Sequence, residues 1–136
     1  MKATRFYLFT MLPILWTSSA VSQDCTLCIG GPDTEMIVQV FQLSDEQQLQ
    51  MANWAKELAL YHEDMSMQIR ELFETHPQQS KDDLEQLASK YKVMKEEIEA
   101  TAKSYDRKLI TTFDDRQYAR YQALCQEVHR LPMTIQ

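Results

Sequence analysis

Between residues 51 and 72 one apolar line runs through Met51, Ala55, Leu58, Met65, Ile69 and Leu72, with His62 occupying the remaining place in it. The steps alternate between four and three, which is the seam of a helix that packs lengthwise against one partner. The pattern stops at Thr75-His76-Pro77-Gln78-Gln79, where Pro77 disfavours a helical conformation for His76. It resumes as Leu84, Leu87, Tyr91, Met94, Ile98, Thr101 and Tyr105 with the same alternation. Two such seams joined by a short loop predict a long antiparallel helical hairpin, each arm about 40 Å long. With the loop centred near Gln78, Leu72 is expected opposite Leu84, Ile69 opposite Leu87, Met65 opposite Tyr91, and His62 opposite Met94.

Shorter patterns flank the hairpin. Met36, Ile37, Val40 and Phe41 give one side of a short N-terminal helix over 33–42, whose Asp33 and Glu35 suit the positive end of the helix dipole. Tyr118, Tyr121, Cys125 and Val128 share one face of a C-terminal helix expected from Asp114 to about Arg130, before Leu131-Pro132 ends it. The only glycines are Gly30 and Gly31, and beyond Pro32 only Pro77 and Pro132 remain. A β-protein needs many more turn residues than this, so the expected fold class is all-α. The expected organisation is a leader over 1–22, an irregular Cys-x-x-Cys segment over 23–32, and one helical domain over 33–131.

Three helix starts are marked locally. Ser44 and Asp114 can cap, with Gln47 and Gln117 three positions later reaching back to the cap's own N–H; Ser80 and Asp83 stand in the same relation. Each is a capping box, which satisfies two orphan backbone donors at once. In the first and last of these boxes an apolar residue, Leu43 or Phe113, precedes the cap.

The first 22 residues have the form of a cleavable export signal. Lys2 and Arg5 precede an apolar run from Phe6 to Trp16, too short to span a bilayer, and Ala20-Val21-Ser22 places small residues before the expected cut. Removing that segment takes away two basic residues, leaving 12 basic against 20 acidic and a net charge of −8. An acidic chain without a basic cluster argues against nucleic acid and against anionic membrane surfaces as partners. No membrane insertion is expected after cleavage.

The segments Leu43-Ser44-Asp45-Glu46-Gln47 and Phe113-Asp114-Asp115-Arg116-Gln117 resemble the LTxxQ repeat of the small periplasmic Spy/CpxP-like family. The matching positions are Leu43, Ser44, Gln47, Phe113, Asp114 and Gln117, and the resemblance covers about residues 43–130. It implies an exported, all-helical, bent hairpin dimer in the periplasm. The family includes ATP-independent chaperones, inhibitors of envelope-stress sensors and metal-binding sensors. Ser stands for Thr in the first segment, and Phe and Asp stand for Leu and Thr in the second.

No catalytic constellation emerges. There is no glycine-rich phosphate loop, and His62-Glu63 lacks the second histidine that a zinc-protease helix needs, because residue 66 is Ser. No catalytic residue is therefore expected, and none of the three histidines at 62, 76 and 129 completes a nucleophile triad.

The cysteines leave three arrangements open. Cys125 can pair with Cys25 or Cys28, as an oxidising compartment permits. Cys25 can pair with Cys28, leaving Cys125 as a core thiol. Alternatively Cys25, Cys28, Cys125 and His129 form a three-thiolate, one-imidazole set suited to tetrahedral zinc, since His129 lies one turn beyond Cys125. A second candidate metal set is His62 with Met65 and Met94, whose thioethers suit Cu(I); the plain alternative is a seam histidine among adaptable methionines. The leading functional expectation is a dimeric, ATP-independent chaperone or envelope-stress adaptor that binds unfolded protein. A metal-binding sensor or buffer is the alternative, and a dimer with no client is a third class.

Overall fold

Four helices dominate residues 23–135, which are those this computed structural model describes. They are α1 (Thr34–Phe41), α2 (Asp45–Thr75), α3 (Lys81–Thr111) and α4 (Asp115–Glu127). The expected leader, residues 1–22, lies outside the described residues. Among these residues there is no strand, only an isolated parallel bridge between Asp24 and Leu131. None of the described helices is long and apolar enough to cross a membrane.

The helix starts follow from local chemistry. Ser44, Ser80 and Asp114 each accept from the backbone N–H three residues on, and Gln47, Asp83 and Gln117 each accept from the cap's N–H, so three complete capping boxes open α2, α3 and α4. His76 closes α2 in an extended conformation (φ −75°, ψ 132°), as a residue before proline should. α1 and α4 end differently. After α1, Gln42 sits in the left-handed region (φ 50°), and Leu43 N–H reaches back to Val38 O at 3.1 Å. After α4, His129 does the same (φ 54°), and Arg130 N–H reaches Cys125 O at 2.9 Å. Both are Schellman closures with a non-glycine residue at the left-handed position. α4 is therefore shorter than expected: it stops at Glu127, and Val128, His129 and Arg130 belong to its closure.

α2 and α3 lie side by side, 31 residues each and so about 46 Å long. Leu58, Met65 and Leu87 are buried between them, while Ile69, Leu72, Met94 and Ile98 are half-buried. The seam differs from the expected one in what surrounds Tyr91, Leu84 and His62. Tyr91 packs on Phe73, ring centroids 5.5 Å apart, two turns closer to the loop than Met65. Helical side chains lean towards their own N-terminus, so in an antiparallel pair Tyr91 reaches towards the loop and Phe73 away from it. Leu84 is half-exposed and His62 is exposed, so neither continues the buried seam.

The main core sits at the other end. Ile37 and Phe41 of α1, Leu43 and Met51, Leu109 and Ile110 of α3, and Tyr121 and Cys125 of α4 form one buried cluster. Cys25 and Ile29, before α1, and Met133, after α4, complete it. Phe113 packs on Phe41 at 4.9 Å and on Tyr121 at 6.4 Å. The 23–32 segment is thus part of the helical domain's core, which it enters through Cys25 and Ile29.

Candidate functional site

Two features organise the core end. The first joins the capping boxes of α2 and α4. The Gln47 amide donates to Gln117 Oε1 at 2.9 Å, and the Gln117 amide donates to Gln47 Oε1 at 3.0 Å. Each Oε1 also accepts from its own cap, Ser44 N–H and Asp114 N–H, both at 2.9 Å. Each Nε2 also donates to a carbonyl, Gln47 to Thr112 O at 2.7 Å and Gln117 to Phe41 O at 3.0 Å. Every donor and both oxygens are used, and both side chains are buried. A glutamine is one of few residues that can cap a helix and pair with its own kind, because it carries an acceptor and two donors on one flat group. Leu43 is buried beside this knot and Phe113 half-buried.

The second feature is the N-terminal strap, residues 23–31. Asp106 of α3, 2 % exposed, accepts three successive backbone N–H groups: Leu27 at 2.8 Å and Cys28 at 3.0 Å on Oδ2, and Ile29 at 3.0 Å on Oδ1. The strap curls around this carboxylate as a backbone nest curls around an anion. Burial pushes the Asp106 carboxyl above the ordinary range, against the three N–H donors, which pull it down. The curl closes in a turn, Gly31 N–H to Cys28 O at 3.0 Å, with Gly30 at φ 80°. A Cβ there would meet Ala55 at 3.5 Å, so the backbone conformation and not the space demands glycine.

Four more ties hold the strap. Cys25 and Cys125 form a disulfide across a separation of 100 residues. The Tyr121 hydroxyl, 1 % exposed, donates to Cys25 O at 2.7 Å and accepts from Met133 N–H at 2.9 Å, linking strap, α4 and C-terminal tail. Asp24 pairs with Lys103 at 2.9 Å, which holds the Asp24 carboxyl below its ordinary range. Cys25 N–H to Leu131 O at 2.8 Å and Leu131 N–H to Gln23 O at 3.1 Å fix the tail beside the strap.

Strap, α2 and α3 enclose an open groove of about 870 Å³. Its walls include Ala55, Leu58 and Ala59 of α2, Ala102 of α3, and Ile29 and Cys28 of the strap, with His62, Glu99, Lys103 and Arg130 also lining it. Cys28 is exposed and is the free cysteine of the described residues.

The zinc set is divided by this arrangement. The tetrahedral zinc set loses two thiolates to the Cys25–Cys125 bond. His129 stands beyond the end of α4, exposed, in the left-handed closure. The Cys25–Cys28 pairing is likewise displaced by the bond to Cys125. In the copper set, His62 is exposed on the groove, Met65 is buried and Met94 is half-buried. Among the described residues no cluster of three or more His, Cys, Asp and Glu side chains is placed to hold a metal ion.

The pattern of apolar positions missed Asp106 and Tyr121 as strap anchors. Asp106 follows the seam residue Tyr105, where a carboxylate reads as solvated, and its partners are backbone groups 77 to 79 residues away. Tyr121 was visible as a core position, but the role of its hydroxyl depends on Cys25 and Met133 arriving together, 108 residues apart in the chain. No family model, no curated protein and no solved structure matches this chain.

Proposed function

We propose that this chain is an exported, ATP-independent binder of unfolded protein, built as a bent helical-hairpin dimer like the Spy/CpxP-like proteins it resembles. The observation that carries the reading is the exposure of large apolar side chains along α2 and α3 away from the core: Leu60 69 %, Val93 61 %, Met67 55 % and Leu84 51 % exposed. A pair of helices has too few layers to bury these, so they remain available to a second copy or to a client. Around them lie exposed side chains of both charges, among them Asp64, Arg70, Lys90, Lys92 and Glu96, which keep apolar contacts scattered and weak. Such contacts suit clients that expose short apolar stretches, and they require no nucleotide. The metal sensor or buffer reading is set second because two thiolates of its zinc set are joined in the Cys25–Cys125 bond.

The test uses protein beginning at Gln23. Stoichiometric amounts should suppress aggregation of an unrelated unfolding protein without ATP. A variant carrying Leu60→Ser, Met67→Ser and Val93→Ser should melt like the parent and lose that suppression. Absence of suppression by the parent, together with stoichiometric zinc or copper in the purified protein, would overturn the reading in favour of the sensor.

A further inference from the structure

We infer that the three cysteines form an intramolecular thiol–disulfide switch, in which Cys28 exchanges with Cys125 for the shared partner Cys25. The inference stands on the strap and does not depend on client binding. Cys28 carries an exposed thiol, while the bond three residues away joins Cys25, 8 % exposed, to Cys125, fully buried. Of the two bonded residues only Cys25 keeps any exposure, and it is the one that shares a loop with the free thiol. The loop is already curled: the N–H groups of residues 27, 28 and 29 converge on the single carboxylate of Asp106. The Cys28 sulfur also turns back along the strap, 3.5 Å from Thr26 Oγ1.

The step balances without any outside oxidant. The Cys28 thiol gives up its proton, and its thiolate attacks Cys25 Sγ. The Cys25–Cys28 bond forms as the Cys25–Cys125 bond breaks, and Cys125 leaves as a thiolate that takes up a proton. The number of disulfides is unchanged. Burial of Cys125 disfavours its thiolate, so interconversion is slow, in the range of minutes to hours for uncatalysed exchange. The consequence is mechanical. In one isomer the strap is bolted to α4; in the other it is held by the Asp106, Tyr121, Lys103 and Leu131 contacts and by Ile29 in the core, without a covalent tie. Because strap residues form one wall of the groove above Ala55 and Leu58, the exchange frees that wall to move.

The experiment uses oxidised protein from Gln23, incubated without added thiol or oxidant, quenched in acid at intervals, alkylated after denaturation and mapped by mass. At the start the alkyl group should sit on Cys28. Over hours a second population should appear, alkylated on Cys125 and carrying a Cys25–Cys28 link, and Cys28→Ser should abolish it. As a check that the short loop can close, oxidised Cys125→Ser protein should contain the Cys25–Cys28 bond. Alkylation confined to Cys28 throughout, or two free thiols in oxidised Cys125→Ser, would overturn the switch.

Discussion

Gln47 and Gln117 exchange amide hydrogen bonds across the molecule, 2.9 Å in one direction and 3.0 Å in the other, while each closes the capping box of its own helix. Two local signals are thereby fused into one tertiary contact, and the start of α2 is fixed to the start of α4. Replacing either glutamine leaves its partner's amide, a cap N–H and a backbone carbonyl without partners in a buried place. Gln47→Ala and Gln117→Ala should each cost about 2–4 kcal/mol by urea unfolding. The double variant should cost less than the sum of the two, with a coupling of about 1–3 kcal/mol. Additive costs would mean that each glutamine acts only as a cap.

Both boxes were legible in the sequence because a capping box is written within four residues. Their pairing was not, because nothing within Ser44–Gln47 refers to a group 70 residues away. The same division holds elsewhere. The seam residues Leu58, Met65 and Leu87 announced themselves by spacing, whereas His62 and Leu84 share the spacing yet are left uncovered. Periodicity fixes which face of a helix a residue occupies, but burial depends on what stands opposite it. The cysteine count permitted several pairings, and the choice of Cys125 for Cys25 depends on a strap whose path is set by Asp106. Dimerisation and client binding, by contrast, rest on resemblance and exposure alone.

Asp106 should show an unusual pH signature. Its carboxyl is pushed up by burial despite three N–H donors. A group whose folded pKa is raised contributes fully below its unfolded pKa, and that contribution is lost as pH rises through the folded value. Asp106→Asn places an NH₂ among backbone donors and should destabilise at every pH. The cost should be largest below the ordinary carboxylate range and should shrink as pH rises through the elevated Asp106 value. Urea unfolding of parent and variant across the acid range measures this. A cost that grows with pH would show that the N–H donors outweigh burial.

Stability should also be graded along α2 and α3. Leu109 and Ile110 are almost fully buried at the core end, whereas Phe73, Leu84 and Tyr91 near the loop are 38–51 % exposed. Leu109→Ala should cost about 2–5 kcal/mol, as for a fully buried leucine, whereas Leu84→Ala should change stability by less than about 1 kcal/mol. Amide exchange should follow the same gradient, with backbone groups around 70–90 opening at lower free energy than those around 105–121. Equal protection at both ends would contradict a core confined to one end.

The disulfide should be a major source of stability, and its loss distinguishes it from a metal clip. The Cys25–Cys125 bond closes a loop of 100 residues, which in the chain-entropy model is worth about 4–5 kcal/mol before strain is counted. Cys125→Ala should therefore lower the melting temperature markedly in oxidised samples, and much less when both proteins are reduced. Cys28→Ser removes an exposed thiol and should leave the oxidised melting temperature unchanged. A chelator should affect none of these proteins, because a covalent bond between the two sulfurs leaves no thiolate pair for zinc to bridge. A parent that melts lower with chelator, and that shows three alkylatable thiols once the metal is removed, would replace the disulfide with the tetrahedral site.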